Sequence, residues 1–468
     1  MNPIFLLADP GVGNAHTVST GITVLFAGLL VAMVLCLAFE EKLHAKKSVI
    51  IGVFAVVTLI LGEIFGLIHT QEITILGHNL TLPVYIPAVD WGVIAIILGS
   101  SVFVDVTSKS GLFTWIAIKL TKASRGDPLL LLIFYGVMTV VFSAVLNNVT
   151  AMIIVGSLTG VSLDRLGRRD QLLGFLLVEG LLTNVGGLLT LISSVPNIIV
   201  GNAAEISFMT FFVKASPLVA LGTALTLAMG AKIFKIRRLS GEAEKAEAAE
   251  LVRGFDENDG IESRFFFGFG AVMLVAFIVT IAAASAPGWF MNDLGMGFVA
   301  MMFAVIMLIR FKSTADRFYQ GVDWDLLAFF AGLFVVINVM EHALVLAEIG
   351  RWLEWVIGLG DVWGTGAVLV AAAGFSSVTD NIPLAAMLAK ILEARGTAGD
   401  SSLWWSVIFG ANLGGNLTPI GSASTLVAVT IIHKNKLNLS FAGFVKVALP
   451  FALAQLALGT AYVLLVLR

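Results

Sequence analysis

Along most of the chain, apolar residues come in runs of about twenty, the length a helix needs to cross the hydrocarbon core of a bilayer. Such runs fall at about 20–39, 48–68, 91–107, 171–202, 215–236, 265–286, 295–310, 324–340, 404–430 and 439–467, and each is expected to form a transmembrane span. Two further segments, 128–161 and 364–393, break the pattern. Each is an apolar helix interrupted by a polar tip and followed by an apolar piece of about ten residues, too short to span, so a re-entrant hairpin is expected. The tips read Asn147-Asn148-Val149-Thr150 and Thr379-Asp380-Asn381-Ile382-Pro383. Polar breaks also divide two of the spans. One runs from Gly186-Gly187 to Ser193-Ser194-Val195-Pro196-Asn197, the other from Gly414-Gly415-Asn416 to Pro419-Ile420-Gly421-Ser422.

The basic residues orient the spans. Lys42, Lys46 and Lys47, Lys119, Lys122 and Arg125, Arg165, Arg168 and Arg169, Lys232 to Arg238, Arg310 to Arg317, and Lys434 with Lys436 mark one side. The alternate loops 1–19, 69–90 and 287–294 have no Lys or Arg. The positive-inside rule then places both termini outside, with the first hairpin entering from the cytoplasm and the second from outside. The N-terminus has no basic region before an apolar stretch, so no cleaved signal peptide is expected. The segment KSGLFTWIAIKLTK from Lys109 reads as an amphipathic helix along the inner surface.

The two halves repeat each other. VDWGVIAIILGSSVFVD from Val89 matches VDWDLLAFFAGLFVVIN from Val322 at an offset of 233 residues, which also pairs Ser143 with Ser376 and Asn148 with Asn381. TNVGGLLTLISSVPN from Thr183 matches ANLGGNLTPIGSAST from Ala411 at an offset of 228, pairing Ser194 with Ser422 and Asn197 with Thr425. Trp91 opens a span running inward and Trp324 one running outward, so the repeats are inverted, a construction that places a substrate site near the bilayer midplane. The chain divides into an N-terminal segment and first span (1–47), a first repeat (48–236) with hairpin 128–161, a cytoplasmic linker (237–263), and a second repeat (264–468) with hairpin 364–393. The linker is read as a solvated helix and tether.

Composition narrows the class. Of 468 residues, 58% are hydrophobic and 13% charged, with mean hydropathy +0.97, so an all-α polytopic membrane protein is expected rather than a soluble enzyme. The single cysteine, Cys36, leaves no disulfide framework or multi-thiolate site, and the six histidines have no metal-ligand spacing. No cofactor, metal or nucleic acid is expected. The chain has no GxxxxGK[ST], so any ATPase would be a separate subunit.

Irregular backbone at membrane depth is tolerated where it lines a cavity, and it exposes helix N-termini for anions and carbonyls for cations. The four breaks therefore predict one ion or substrate site. Its candidate residues are Asn147, Asn148, Thr150, Ser193, Ser194, Pro196, Asn197, Asp380, Asn381, Pro383, Gly421, Ser422, Ser424 and Thr425. Asn147, Asn148 and Asn381 also suit helix caps, and the Gly pairs suit close helix packing. Asp380 is the leading proton-coupling candidate, because a carboxylate at depth is costly and the first repeat caps its tip with amides alone. Glu179, facing a cytoplasmic vestibule, and Asp105, better suited to an interfacial cap, complete the coupling candidates.

At NNVTAMII, SSVPNIIVG, TDNIPLAAML and GANLGGNLTPIGSASTL the sequence resembles the ion transporter superfamily, in particular its ArsB/NhaD branch of arsenite/antimonite efflux carriers and sodium/proton antiporters. The melanosomal P protein and the dicarboxylate symporters are more distant relatives. Ser193-Ser194 stand where the antiporters carry an acidic residue, and Asn147-Asn148 where arsenite carriers often do. The resemblance implies ten or so spans, two hairpins and two broken helices, a homodimer, and an elevator-like movement of a transport domain. It implies proton-coupled arsenite or antimonite efflux across a prokaryotic inner membrane, with sodium/proton exchange as the alternative and dicarboxylate or other anion symport third.

Overall fold

The computed structural model describes residues 18–68, 71–75, 78–146, 148–284, 291, 293–378 and 381–467. Helices α1 (Thr20–Ala38), α2 (Glu40–Leu43) and α3 (Lys47–Ile64) come first. They lead to strands β1 (Gln71–Ile75) and β2 (His78–Leu82), an antiparallel hairpin with Gln71 opposite Leu82 that the sequence pattern did not predict. The first repeat continues as α4 (Trp91–Ser108), α5 (Leu112–Ser124), α6 (Pro128–Val145), α7 (Asn148–Arg165), α8 (Leu172–Gly186), α9 (Val195–Ala203) and α10 (Phe208–Ile233). The linker holds α11 (Glu242–Arg253), and α12 (Arg264–Ala284), α13 (Gly295–Leu308) and α14 (Asp316–Gly321) follow it. The chain then completes the second repeat with α15 (Trp324–His342), α16 (Val345–Ile357), α17 (Asp361–Ser376), α18 (Asn381–Ala394), α19 (Ser402–Gly414), α20 (Ala423–Lys434) and α21 (Phe441–Val466).

Matched local chemistry builds the matched elements. Asp90 and Asp323 each cap the helix that follows by accepting an N–H three residues on. Trp91 and Trp324, next in sequence, donate their indole N–H to the carbonyls of Ile86 and Tyr319. At the turns into α5 and α16 the chain passes through left-handed backbone, at Gly111 (φ 81°) and at Leu344 (φ 60°). Ser207 and Ser440 cap the long helices α10 and α21, which carry internal prolines at the matched positions Pro217 and Pro450.

Among the described residues, eight helices are long and apolar enough to span a bilayer: α1, α3, α4, α6, α10, α12, α15 and α21. Seven of these are expected spans and the eighth, α6, is the first limb of hairpin 128–161; the other three expected spans fall short for local reasons. The runs 171–202 and 404–430 are each two shorter helices, and 295–310 holds a helix of 14 residues. The second limbs of the two hairpins are longer than the ten or so residues expected, 18 in α7 and 14 in α18. Polar Ser and Thr on α7 lower its hydropathy without ending its helix, because they bond within helices and between them.

The core surrounds α8 and α19. Nearly every residue of these two helices is buried, as expected of helices that are apolar all round. Gly414 at the end of α19 lies so close to α17 that a Cβ there would collide with the Ala373 backbone. Outer helices instead present apolar side chains outward; Phe265 on α12 is 79% exposed and Leu465 on α21 is 82% exposed, the character of lipid-facing surface. The repeats interlock, since α9 of the first packs on α18 of the second, and α20 of the second packs on α7 and α8 of the first.

The linker is less free than a solvated tether. Ala248 and Val252 of α11 are buried and α11 rests on α5. Arg168 donates to Glu244 at 2.6 Å, and Lys119 donates to Glu257 at 2.8 Å. With Lys122 bonded to the same carboxylate, the two ammonium groups hold Glu257 well below the usual carboxylate range, at about 2.

Candidate polar centre

Each broken span has to satisfy the carbonyls that its helix abandons. In the first repeat the turn between α8 and α9 does so with its own side chains. Ser193 Oγ lies 2.6 Å from the Gly187 carbonyl and 2.8 Å from that of Thr190. Asn197 Nδ2 donates to the same two carbonyls at 2.7 and 2.9 Å. Pro196 sits in the first turn of α9, where its missing N–H is not needed. In the second repeat Ser422 caps α20 by accepting the Thr425 N–H at 3.3 Å, while Thr425 Oγ1 lies 2.8 Å from the Ser422 carbonyl and 3.1 Å from that of Pro419.

The two breaks then cross, and the Ser–Asn contact between them occurs twice, at matched positions. Ser194 Oγ donates to Asn412 Oδ1 at 2.7 Å, and at the matched positions Asn184 Nδ2 donates to Ser422 Oγ at 2.9 Å. Asn412 Nδ2 donates to Asn197 Oδ1 at 2.9 Å, and Ser424 Oγ donates to Asn184 Oδ1 at 3.0 Å. Asn184 also donates to Asn416 Oδ1 at 2.8 Å; Asn416 donates on to Gln455 at 2.8 Å, and Gln455 to Thr226 at 2.8 Å. All of these side chains are buried. The doubled Ser–Asn contact is what a twofold relation between the repeats produces.

The hairpins join from either side. Ser143 Oγ, near the end of α6, donates to the Thr183 carbonyl at 2.6 Å and stands 2.7 Å from Asn148 Oδ1. Its counterpart Ser376 donates to the matched Ala411 carbonyl at 2.5 Å. Thr190 and Thr418 repeat the symmetry by donating to the carbonyls of Ala144 and Ser377. Asn148 Nδ2 is 3.5 Å from Asn184 Oδ1, Thr150 is half-buried two residues along, and Gly421 packs against the Ser376 carbonyl. Asn381 and Pro383 are buried in the first turn of α18. Asn147, Thr379 and Asp380 lie outside the described residues.

The structure thus joins Asn148, Ser194, Asn197, Ser422, Ser424 and Thr425 in one network, with Ser193 and Pro196 shaping its turn. It adds Asn184, Asn412, Asn416, Gln455 and Thr226, which the sequence reading did not place in the site. The signal for the first two was present, since the 228-residue offset aligns Asn184 with Asn412. Gln455 is an amide inside the 26-residue helix α21, an expense that itself marks function or packing.

Two coupling candidates stand elsewhere. Glu179 does not face a vestibule: it is fully buried in the middle of α8, with Oε1 accepting from Thr159 Oγ1 at 2.6 Å. The cause is the flanking helices, which cover α8 on every side. Asp105, half-buried on α4, directs its carboxylate at Gly321, the last residue of α14. No bond joins it to the crossing among the described residues. There the crossing is made of amides, hydroxyls and backbone, without a charged side chain, and no group of three or more His, Cys, Asp or Glu assembles. It suits a small solute rich in oxygen that exchanges hydrogen bonds with neutral partners.

A family profile described as citrate transporter, CitMHS, matches residues 34–410. An uncharacterized transporter of Mycobacterium bovis is 28% identical over 381 residues, covering 80% of this chain and 86% of its own. An uncharacterized transporter of Synechocystis is 25% identical over 463 residues, covering 93% and 96%. The P protein of Mus musculus is 22% identical over 519 residues, 93% of this chain and 62% of its own. Among solved structures, the YdaH transporter of Alcanivorax borkumensis, reported to have an unusual topology, superposes with a TM-score of 0.59 at 13% identity over 90% of this chain and 98% of its own. That likeness concerns the fold alone. The superfamily implied by the sequence motifs is thereby found, P protein included; membership of the ArsB/NhaD branch does not follow from these likenesses.

Proposed function

The chain belongs to the CitMHS citrate transporter family, an integral membrane transporter, and from that premise we propose that it expels trivalent arsenite or antimonite in exchange for protons. The observation that carries this reading is the uncharged crossing of Asn184, Asn412, Ser194, Ser422 and Ser424. Arsenite at neutral pH is a neutral hydroxide, able to donate and accept where these amides and hydroxyls now bond one another. Asp380, at the tip whose first-repeat counterpart is Asn147, is the coupling carboxylate of this proposal. The hairpins and broken helices would travel as one transport domain against a scaffold, elevator-like, within a homodimer of a prokaryotic inner membrane, with both termini outside.

A second reading, transport of a carboxylate anion, is supported by the family's description and by α9 and α20 beginning at the crossing, where helix N-termini favour negative charge. Everted vesicles separate the readings. Arsenite uptake that dissipates an imposed proton gradient is the expected result. Citrate uptake without arsenite uptake would transfer the proposal to the anion, and sodium-dependent dissipation with neither would overturn both. Asp380→Asn is expected to abolish the proton dependence; an unchanged dependence removes that role from Asp380.

A further inference from the structure

Glu179 is the one charged side chain among the buried described residues, and it is not part of the crossing. Its Oε1 has a single donor, Thr159 Oγ1 at 2.6 Å, and its Oε2 is buried with no partner among the described residues. A carboxylate in that position would be an unpaired charge in the interior, whereas a carboxylic acid leaves only one hydrogen bond unmade. The geometry therefore fits the acid and not the anion. Packing alone does not call for either. The matched positions of the second repeat are Val407 for Glu179 and Leu392 for Thr159, both buried, so the same helix pair closes with two apolar side chains.

A column of hydroxyls lies on the same side. Ser162, one turn beyond Thr159 on α7, is 2.7 Å from the Tyr135 hydroxyl of α6, which is 2.7 Å from Thr121 Oγ1 of α5. All three are buried, and Lys122, next to Thr121, is bonded to Glu257 of the linker. The second repeat has Val368, Arg395 and Glu354 at the matched positions, so this column too belongs to the first repeat alone. Tyr135 is the buried titratable group that α6 contributes to this column. On the other elements packed against α8, Asp164 and Arg165 of α7, Arg169 and Asp170 of the short turn before α8, Lys232 of α10, and His433 and Lys434 of α20 are exposed near helix ends, and Lys214 is half-buried in α10. No ion pair joins any of them to Glu179 among the described residues.

We propose that Glu179 is a proton-binding site distinct from the four-break centre, occupied in this conformation, that exchanges its proton with the linker face through Ser162, Tyr135 and Thr121. In the release step the carboxyl O–H bond breaks and the proton passes to Ser162, each hydroxyl accepts one proton and passes on its own, Thr121 gives the last one to water at the linker face, and the carboxylate remains until the site refills. No electron moves. The proposal rests on the reading of a proton-coupled transporter, and two separate readouts keep the two apart.

The purified full chain and its Glu179→Gln, Tyr135→Phe and Thr159→Val variants are reconstituted into proteoliposomes. Infrared difference spectra between neutral and alkaline pH are expected to contain a protonated-carboxyl band that Glu179→Gln removes and Thr159→Val shifts. This readout needs no substrate. Glu179→Gln is further expected to keep arsenite counterflow, which requires no net proton movement, while uptake driven by a proton gradient is lost. Tyr135→Phe is expected to slow the gradient-driven uptake and leave the band in place. Retention of the wild-type pH dependence by Glu179→Gln overturns the proposal. A band unchanged by Thr159→Val does the same even if the Gln variant does not fold. Absence of counterflow in the wild type would count against arsenite as substrate and leave the infrared result to decide on Glu179.

Discussion

The two repeats share a backbone plan and use its polar positions differently. In the first, Ser194 precedes α9 without capping it and donates across to Asn412 instead. In the second, Ser422 caps α20 and accepts from Asn184 at the same time. The first repeat also places Glu179 and Thr159 where the second has Val407 and Leu392. The second in turn has Asp380 at a tip where the first has Asn147. Twofold geometry fixes where polar groups are needed; it leaves open which half carries a charge. A fold that tolerates Val407 shows that the carboxyl at its mirror position answers to something other than packing.

Carrying the charge to the other repeat is the most severe way to break that comparison. Val407→Glu would bury a carboxyl beside apolar neighbours with no hydroxyl at the Thr159-equivalent position. A loss of about 3–5 kcal/mol is expected, seen as failure to give a monodisperse protein after detergent extraction. Asn184→Ala comes next, because Asn416, Ser422 and Ser424 each lose a bond inside the core. We expect a loss of about 3 kcal/mol in thermal unfolding and no measurable transport.

The serine pair sharpens the comparison. Ser422→Ala removes a cap and a cross-repeat bond, about 2 kcal/mol, against about 1 kcal/mol for the single bond lost in Ser194→Ala. Equal losses in the two variants would mean that the capping asymmetry carries no weight. The smallest effect belongs to the linker, which docks on the first repeat. The Glu257 carboxyl is held at about 2, so its contribution to docking is fully present above the ordinary carboxylate range and is lost as pH falls toward that value. Glu257→Gln at neutral pH should reproduce the acid state, as faster protease cleavage within 237–263 with transport unchanged. An exposed ion pair of this kind is worth little, and a cleavage rate independent of both pH and residue 257 would show the dock to rest on Ala248 and Val252 alone.

Much of the centre is legible in the sequence. Ser194, Asn197, Ser422, Ser424 and Thr425 stood out because helix-breaking and polar residues at membrane depth have few other reasons to be there. Gln455 and Thr226 were missed because each lies alone in a long apolar helix, where nothing in the local pattern says which neighbour it meets. Glu179 was assigned to a vestibule from its distance along the span, a one-dimensional measure that does not contain the cover supplied by α6, α7 and α20.

The sequence by itself determined the membrane class, the repeat and the positions of the breaks, since these follow from local hydropathy and from residue types that cannot continue a helix. Tertiary structure alone decided the pairing of Ser194 with Asn412 and of Asn184 with Ser422, and the isolation of Glu179 beside Thr159. Those are relations between segments hundreds of residues apart in one case and between neighbouring helices in the other. A hydrogen bond or a desolvated charge exists only where packing brings the partners together or keeps water away.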